Sequence, residues 1–188
     1  MEATRRHLSS RQAGTVVRLT EAAVDELREV GYDGLSVRNV ARRAGVAPAT
    51  AYTYFTSKEH LVTEVFWRRL ERLPDPAPDR RRAPARRVSD ALADMAAVVA
   101  DEPELAAACS VAMLAGDPDV KHLRLRIGAA MHRRLVIALG DDADPAVVRV
   151  LDLATSGAFI QAGGGHVAYE DLPQLLGEVA EVVLGRTR

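Results

Sequence analysis

Residues 37–61 read VRNVARRAGVAPATAYTYFTSKEHL. One glycine, Gly45, separates two short runs of helical apolar spacing, and two tyrosines, a phenylalanine, several hydroxyls and a lysine crowd the second run. Ser36 is suited to cap a helix carrying Val37, Val40, Ala41 and Ala44, because its side-chain oxygen can take an orphaned amide of the first turn. Gly45 ends that helix and supplies the positive φ that a sharp turn needs. Pro48 suits the first turn of the next helix, which the spacing carries to about Tyr54. Two helices this short, joined through glycine, form a helix-turn-helix, the motif whose second helix enters the major groove of DNA. Val40, Ala44, Val46, Ala51 and Phe55 are the candidate seal of a small core. Pro48, Ala49, Thr50, Tyr52, Thr53, Tyr54 and Lys58 divide between the edge of that core and an outward surface of short, stiff donors suited to phosphates and bases.

Upstream, Val16, Leu19, Ala23, Leu27 and Val30 recur at helical spacing, so a first helix is expected from about Ser10 to Val30, stopped by Gly31. Downstream, Thr56 and Glu59 make a capping-box pattern for a fourth helix over residues 58–72 that carries Leu61, Val65, Phe66 and Leu70. The stretch LPDPAPDRRRAP, residues 73–84, then denies the backbone its helical hydrogen bonds and separates two units. After it the pattern stays helical. Val88 to Val99, Leu105 to Met113, Leu123 to Leu135, Ala146 to Ala162 and residues 172–184 mark five more helices, broken at Pro103, at Gly116-Asp117-Pro118 and at Gly140. No alternating strand pattern occurs. An all-α protein of about nine helices is expected, with a DNA-binding domain at 1–58 and a helical domain at 59–188, bridged by helix 4 over 58–72, with a Pro- and Arg-rich loop at 74–84.

The segment GYDGLSVRNVARRAGVAPATAYTYFTSKEHL resembles the DNA-binding domain of the TetR family of bacterial transcriptional regulators. The resemblance rests on Gly31 and Tyr32, on Val40-Ala41 and Ala44-Gly45-Val46, and on Tyr52-Thr53-Tyr54-Phe55-Thr56-Ser57-Lys58. It covers roughly residues 12–61. It implies an all-helical homodimer that binds double-stranded operator DNA through its amino-terminal domain, with a divergent helical domain that often takes a small-molecule effector. Carried over by position, Thr50, Tyr54 and Lys58 would hold phosphates, Pro48, Ala49, Tyr52 and Thr53 would lie nearest the bases, and Ser36 and Arg38 would reach the flanking backbone. The chain departs from the family pattern at Ala47, Pro48 and Ala49. Pro48 offers no donor, so thymine methyls are the natural partners for these three residues. Tyr52 and Tyr54 also have a second reading, as rings closing the small core. Arg42 and Arg43 read as solvated helix surface, and Arg5, Arg6 and Arg11 as either a backbone-tracking arm or a frayed terminus.

Charge agrees with a DNA-binding head. Residues 1–73 hold 12 Arg and Lys against 9 Asp and Glu, whereas residues 74–188 hold 13 against 17, so a net charge of -1 conceals a basic head on an acidic body. Six of the eight aromatic residues also fall in the first 73 positions. No apolar run is long enough to span a membrane, and MEATRRHLSS lacks the apolar stretch of a signal peptide. The single cysteine excludes an intrachain disulfide, and the five histidines form no i, i+4 pair. A cytoplasmic protein with no cofactor, no metal and no membrane partner is expected.

The two final helices are apolar around more than the stripe one packed face requires. That width predicts a four-helix dimer contact through Val150, Ala154, Gly157 and Ala158 on one helix and Leu172, Leu176, Val179 and Val183 on the other, with Gly157 and Gly177 permitting close crossings. Burial of both helices within one monomer is the alternative. An effector would find an adaptable apolar lining in Trp67, Met95, Val99, Cys109, Met113, Ile127, Met131 and Phe159, with Thr155, His132, Ser156 and Gln161 as polar points, although such a set is equally an ordinary core. The reading that follows is a repressor released from its operator by a small, largely apolar effector. Its rival is a DNA-binding regulator without such a ligand, governed by a partner protein, by oxidation of Cys109 or by abundance. Catalysis is not expected: QAGGGH at 161–166 has neither the preceding strand nor the following Lys-Ser/Thr of a phosphate loop.

Overall fold

A computed structural model of the chain describes residues 10–77 and 79–185, and these contain nine α-helices and no strand. Four helices make the amino-terminal part: α1 (Ser10–Gly34), α2 (Val37–Arg43), α3 (Pro48–Tyr52) and α4 (Lys58–Arg72). Five make the rest: α5 (Pro84–Ala100), α6 (Pro103–Ala112), α7 (Pro118–Leu139), α8 (Pro145–Gly163) and α9 (Leu172–Gly185). None of the described helices is long and apolar enough to cross a membrane. Helices α5, α6 and α7 begin on Pro84, Pro103 and Pro118, each in the first helical turn, where a missing N–H costs nothing.

Helix α1 leaves the helical path where expected, at Gly31 (φ 67°, ψ -179°), and one further short turn beyond this kink reaches Gly34. The head core is the apolar face of α1 (Val16, Leu19, Ala23, Leu27) closed by Val37, Val40, Ala41, Val46, Ala51 and Phe55, all buried. Arg43 lies on the exposed surface as expected but is also tethered there: its Nε donates to Glu26 at 2.7 Å and its Nη2 to Glu29, tying α2 to α1. Glu26 is itself buried, so this pair fixes the crossing of the two helices.

Helix α4 is capped by Ser57, whose Oγ accepts from the His60 N–H at 3.0 Å, and not by Thr56 as the capping-box spacing suggested. Thr56 instead donates to Asp119 at 2.9 Å. The α4 helix packs on α1 behind the head and on α6 and α7 in the body, so it belongs to both. In the body, α5 lies along α9 most extensively, with α7 and α8 alongside. Arg87 seals the lower end: Nε and Nη2 donate to the carbonyls of Ala138 and Leu139, both at 2.7 Å, and Nη1 to that of Arg82 at 2.7 Å. The carbonyls of Ala138 and Leu139 are orphaned ones of the α7 terminus, which favour a cation.

The structure corrects the expected dimer face in part. Leu172 and Leu176 are fully buried inside the protomer and face α5, so they present nothing to a second copy. Gly177 also faces inward: a Cβ there would lie 2.8 Å from Ser89 Oγ on α5. Ala158, Val179 and Val183 are partly buried against the same core, and Ala154 and Gly157 are half-buried. Val150 is exposed, together with four residues absent from the expected set: Leu153, Ile160, Leu175 and Val182. On α8 the residues Val150, Leu153, Gly157 and Ile160 recur at helical spacing and form one uncovered apolar stripe.

Candidate nucleic-acid interface

The head presents α3 through a balance of burial and exposure set residue by residue. Ala51 is fully buried and Val46 and Phe55 flank it in the core, while Ala47, Pro48, Ala49, Thr50, Tyr52 and Thr53 are all exposed. A helix of five residues has one anchoring position only, so Ala51 fixes which way the others point. Pro48 occupies the first turn and Ala47 precedes it in extended conformation without any side-chain cap. The amides of this short helix start are therefore left open. Gly45, at φ 64°, makes the turn between α2 and α3.

The two tyrosines part company. Tyr52 is half exposed, with its ring outside the core, whereas Tyr54 is partly buried and packed against the core edge. Ser36 spends its Oγ as acceptor for the Asn39 N–H at 3.1 Å, which caps α2 and leaves its own hydroxyl proton for an outside acceptor. Arg38 is exposed beside it. Lys58, expected at a phosphate, is partly buried at the start of α4. Its Nζ donates to the Tyr32 carbonyl at 2.9 Å and sits 4.3 Å from the centre of the Tyr32 ring, where the kinked end of α1 gathers negative charge. Tyr32 in turn donates to Glu59 at 3.0 Å, and burial together with that carboxylate pushes its phenol well above the ordinary range.

Beside α3 opens a cleft of about 600 Å³ between the start of α1 and the recognition helix, bordered by Arg11, Gly14, Thr15, Arg18, Thr50 and Tyr54. Thr15 and Arg18 were not singled out from the sequence; the available signal was the i, i+4, i+7 spacing of Arg11, Thr15 and Arg18 on one face of α1. Arg5 and Arg6 lie outside the described residues. Charge pairing sharpens the picture. Arg28 and Arg43 are held in ion pairs, yet no described acid lies within ion-pair distance of Arg11, Arg18, Arg38 or Arg42. Arg11 and Arg18, which border the cleft without a described acid beside them, are cations of the kind a polyanion would neutralise.

The head is fastened to the body at two turns. Ser57 donates to Asp117 at 2.6 Å, and Asp117 also accepts from the amides of Asp119 at 2.8 Å and Val120 at 3.4 Å as the cap of α7. Partial burial opposes ionisation of Asp117, but the hydrogen bonds from Ser57 and the two amides, with His60 nearby, hold it below the ordinary carboxylate value. At the other end of α6, Arg28 of α1 and Arg69 of α4 converge on Glu102 at 3.2 and 2.5 Å.

The expected effector lining is mostly core. Trp67, Met95, Val99, Cys109 and Ile127 are buried among their neighbours, and Met113 and Phe159 pack partly buried against them. Met131, His132, Thr155 and Ser156 of that set border the open groove of about 420 Å³ between α7 and α8, together with Leu125 and Leu135. Cys109 is fully buried, and burial pushes its thiol up to about 12, so it lacks the thiolate that oxidation needs.

An all-helical chain with an outward α3 set on a turn of α2 is a helix-turn-helix DNA-binding protein. Residues 19–65 match the model of bacterial regulatory proteins of the tetR family. The chain is 46% identical over 176 residues to an uncharacterized HTH-type transcriptional regulator of Mycobacterium tuberculosis, covering 93% of this chain and 82% of that one. Among solved structures it is similar to a TetR transcriptional regulator from Rhodococcus sp. RHA1, with a TM-score of 0.72, 24% identity, and coverage of 90% of this chain and 97% of that one. It is also similar to the transcriptional regulator FadR from Bacillus subtilis in complex with stearoyl-CoA, with a TM-score of 0.61, 20% identity, and coverage of 89% and 97%. The chain belongs to the TetR family and is a DNA-binding transcriptional regulator, not an enzyme.

Proposed function

We propose that the protein is a cytoplasmic repressor that grips its operator as a homodimer and lets go when a small, largely apolar effector enters its body. The observation that carries the DNA-binding half is the orientation of α3: Ala51 is locked in the core and every neighbour from Ala47 to Thr53 but Ala51 is exposed. In this reading residues 1–58 bind DNA and 59–188 dimerise and sense. Pro48, Ala49, Tyr52 and Thr53 meet base edges, and Thr50, Tyr54, Arg11 and Arg18 hold phosphates around their shared cleft. Ser36 and Arg38 reach the flanking backbone. Lys58 supports this surface by bracing Tyr32.

The dimer reading is supported by the uncovered apolar stripe of Val150, Leu153, Gly157 and Ile160, with Leu175 and Val182 exposed on α9. Two-fold pairing of these helices would set the recognition helices at a fixed spacing, and about 34 Å is needed to enter successive major grooves on one face of DNA. The effector reading is supported by the ligand-bound FadR structure of the same fold and by the groove between α7 and α8. A ligand acts only through its different affinity for the DNA-competent and released states. The burial of Cys109 disfavours the rival reading by thiol oxidation.

Footprinting on the DNA upstream of the protein's own gene tests the proposal. Two protected major-groove segments one helical turn apart are expected. A purified protein that shifts no such fragment at modest salt, or that protects a single half-site, would refute the dimeric operator grip.

A further inference from the structure

Arg134, on α7, is 2% exposed, yet it is not fully used. Its Nη1 donates to the Pro74 carbonyl at 2.7 Å, with that of Leu73 at 3.5 Å, but Nε and Nη2 are buried and have no acceptor among the described residues. The acid within ion-pair range is Asp94, whose Oδ2 stands 3.6 Å from Nη2, beyond hydrogen-bond reach, and whose side chain is about half exposed. Arg133, next along the helix, is turned outward to Asp75. The contrast with Arg87 is direct. That guanidinium, almost as buried, donates from all three of its nitrogens.

The pattern of unused donors is chemically specific. Nε and Nη2 form one edge of the planar guanidinium, with two parallel N–H bonds, and this is the edge that takes a carboxylate or phosphate in bidentate fashion. A buried charge with such an edge unmatched is costly, and burial already lowers the proton affinity of Arg134. The surroundings supply the other half of a ligand site. Ile127 and Met131 precede Arg134 at helical spacing on α7. Met131 and Leu135 also border the groove of about 420 Å³ against α8, within the range of small-molecule pockets. Arg134 itself does not border the groove and its Nε and Nη2 are buried; Met131, three residues back on the helix and a side chain that repacks easily, separates the two, so its movement is what would open the groove to the guanidinium.

We infer that the unpaired edge of Arg134 anchors the oxyanion head of an amphipathic effector whose apolar part lies along Met131 and the α7–α8 groove. This rests on the effector reading above and deepens it: the ligand class is an anion on an apolar chain, not a neutral apolar molecule. Carboxylate and phosphate share the required chemistry. The anchor also suggests how binding reaches the head, because Arg134 holds the carbonyl of Pro74, two residues past the end of α4. An oxyanion recruiting the guanidinium would change its hold on that strap.

The test titrates the full-length protein with dodecanoic acid, dodecyl phosphate and dodecanol, which share a chain and differ in the head. Binding is read from Trp67 fluorescence, and release from the anisotropy of labelled operator. The anions are expected to bind at least about tenfold more tightly than the alcohol, with the better of the two naming the head group. That preference should vanish in Arg134→Gln and Arg134→Met. If either variant fails to fold, the Nε–H resonance of Arg134 in the wild type decides: it should shift on addition of the acid and not of the alcohol. Equal binding of all three probes, a preference retained in the variants, or an Nε–H signal indifferent to the acid overturns the anchor. Release of operator by dodecanol without any anion preference would sink the anchor and leave the effector reading standing. No binding of any of the three, with operator binding intact, overturns the anchor and counts against effector control as well.

Discussion

Arg18 and Tyr52 separate two ways of holding DNA. Arg18 borders the cleft beside α3 with no described acid to neutralise it, so the contribution proposed for it is electrostatic and blind to sequence. Arg18→Ala should weaken binding to every DNA alike and reduce the slope of log affinity against log salt by about 1, measured by anisotropy over a salt series; an unaltered slope would remove it from the contact set. Tyr52 is the half-exposed ring of the recognition helix, so Tyr52→Ala should reorder the ranking of operator variants, and a uniform loss would exclude base contact. The sequence named Tyr52 because the motif spacing placed it. It left the choice between Tyr52 and Tyr54 open, since rings two residues apart on a short helix both satisfy the pattern until the core takes one. The motif reads Lys58 as a phosphate ligand, and only the kink of α1 shows that its ammonium also has the Tyr32 carbonyl within reach.

At the scale of elements, the boundaries written in proline and glycine were legible, and the partners of the caps were not. Thr56 and Ser57 are both competent N-caps, and the choice between them came from Asp119, 63 residues away, which takes the Thr56 hydroxyl. The same turn gives the joint between α4 and α7 a pH dependence. Asp117 is held below its ordinary value in the folded protein, so its contribution to stability is present above about pH 4 and is lost as pH falls through the lowered value. Urea titrations across that range should show the loss in the wild type, and Asp117→Asn should flatten the acid limb. An acid limb unchanged in the variant would mean that Asp117 is not strained toward its charged form by Ser57 and the α7 amides. Ser57→Ala, which removes both the cap and the bond to Asp117, should cost about 1 kcal/mol or more.

For the whole molecule, the decisive question is which apolar surface stays free once each protomer has folded. Leu153→Glu or Ile160→Glu should yield a folded monomer with little change in melting temperature and no stable operator complex, as seen by sedimentation and anisotropy. Leu176→Glu, placed in the α5–α9 core, should instead prevent folding, because an unpaired charge there has no water to reach. A dimer that survives Leu153→Glu and Ile160→Glu together would relocate the interface. By itself the sequence determined the helix count, the Gly45 turn and the excess apolar width of α8 and α9, because these follow from local periodicity and backbone chemistry. Only the tertiary structure decided how that width is shared: α5 lies along α9 and takes Leu172 and Leu176, leaving Leu153, Ile160 and Val182 outside. It alone also left one edge of Arg134 without an acceptor. Periodicity fixes which residues share a face, but which face meets which is set by packing between segments far apart in the chain.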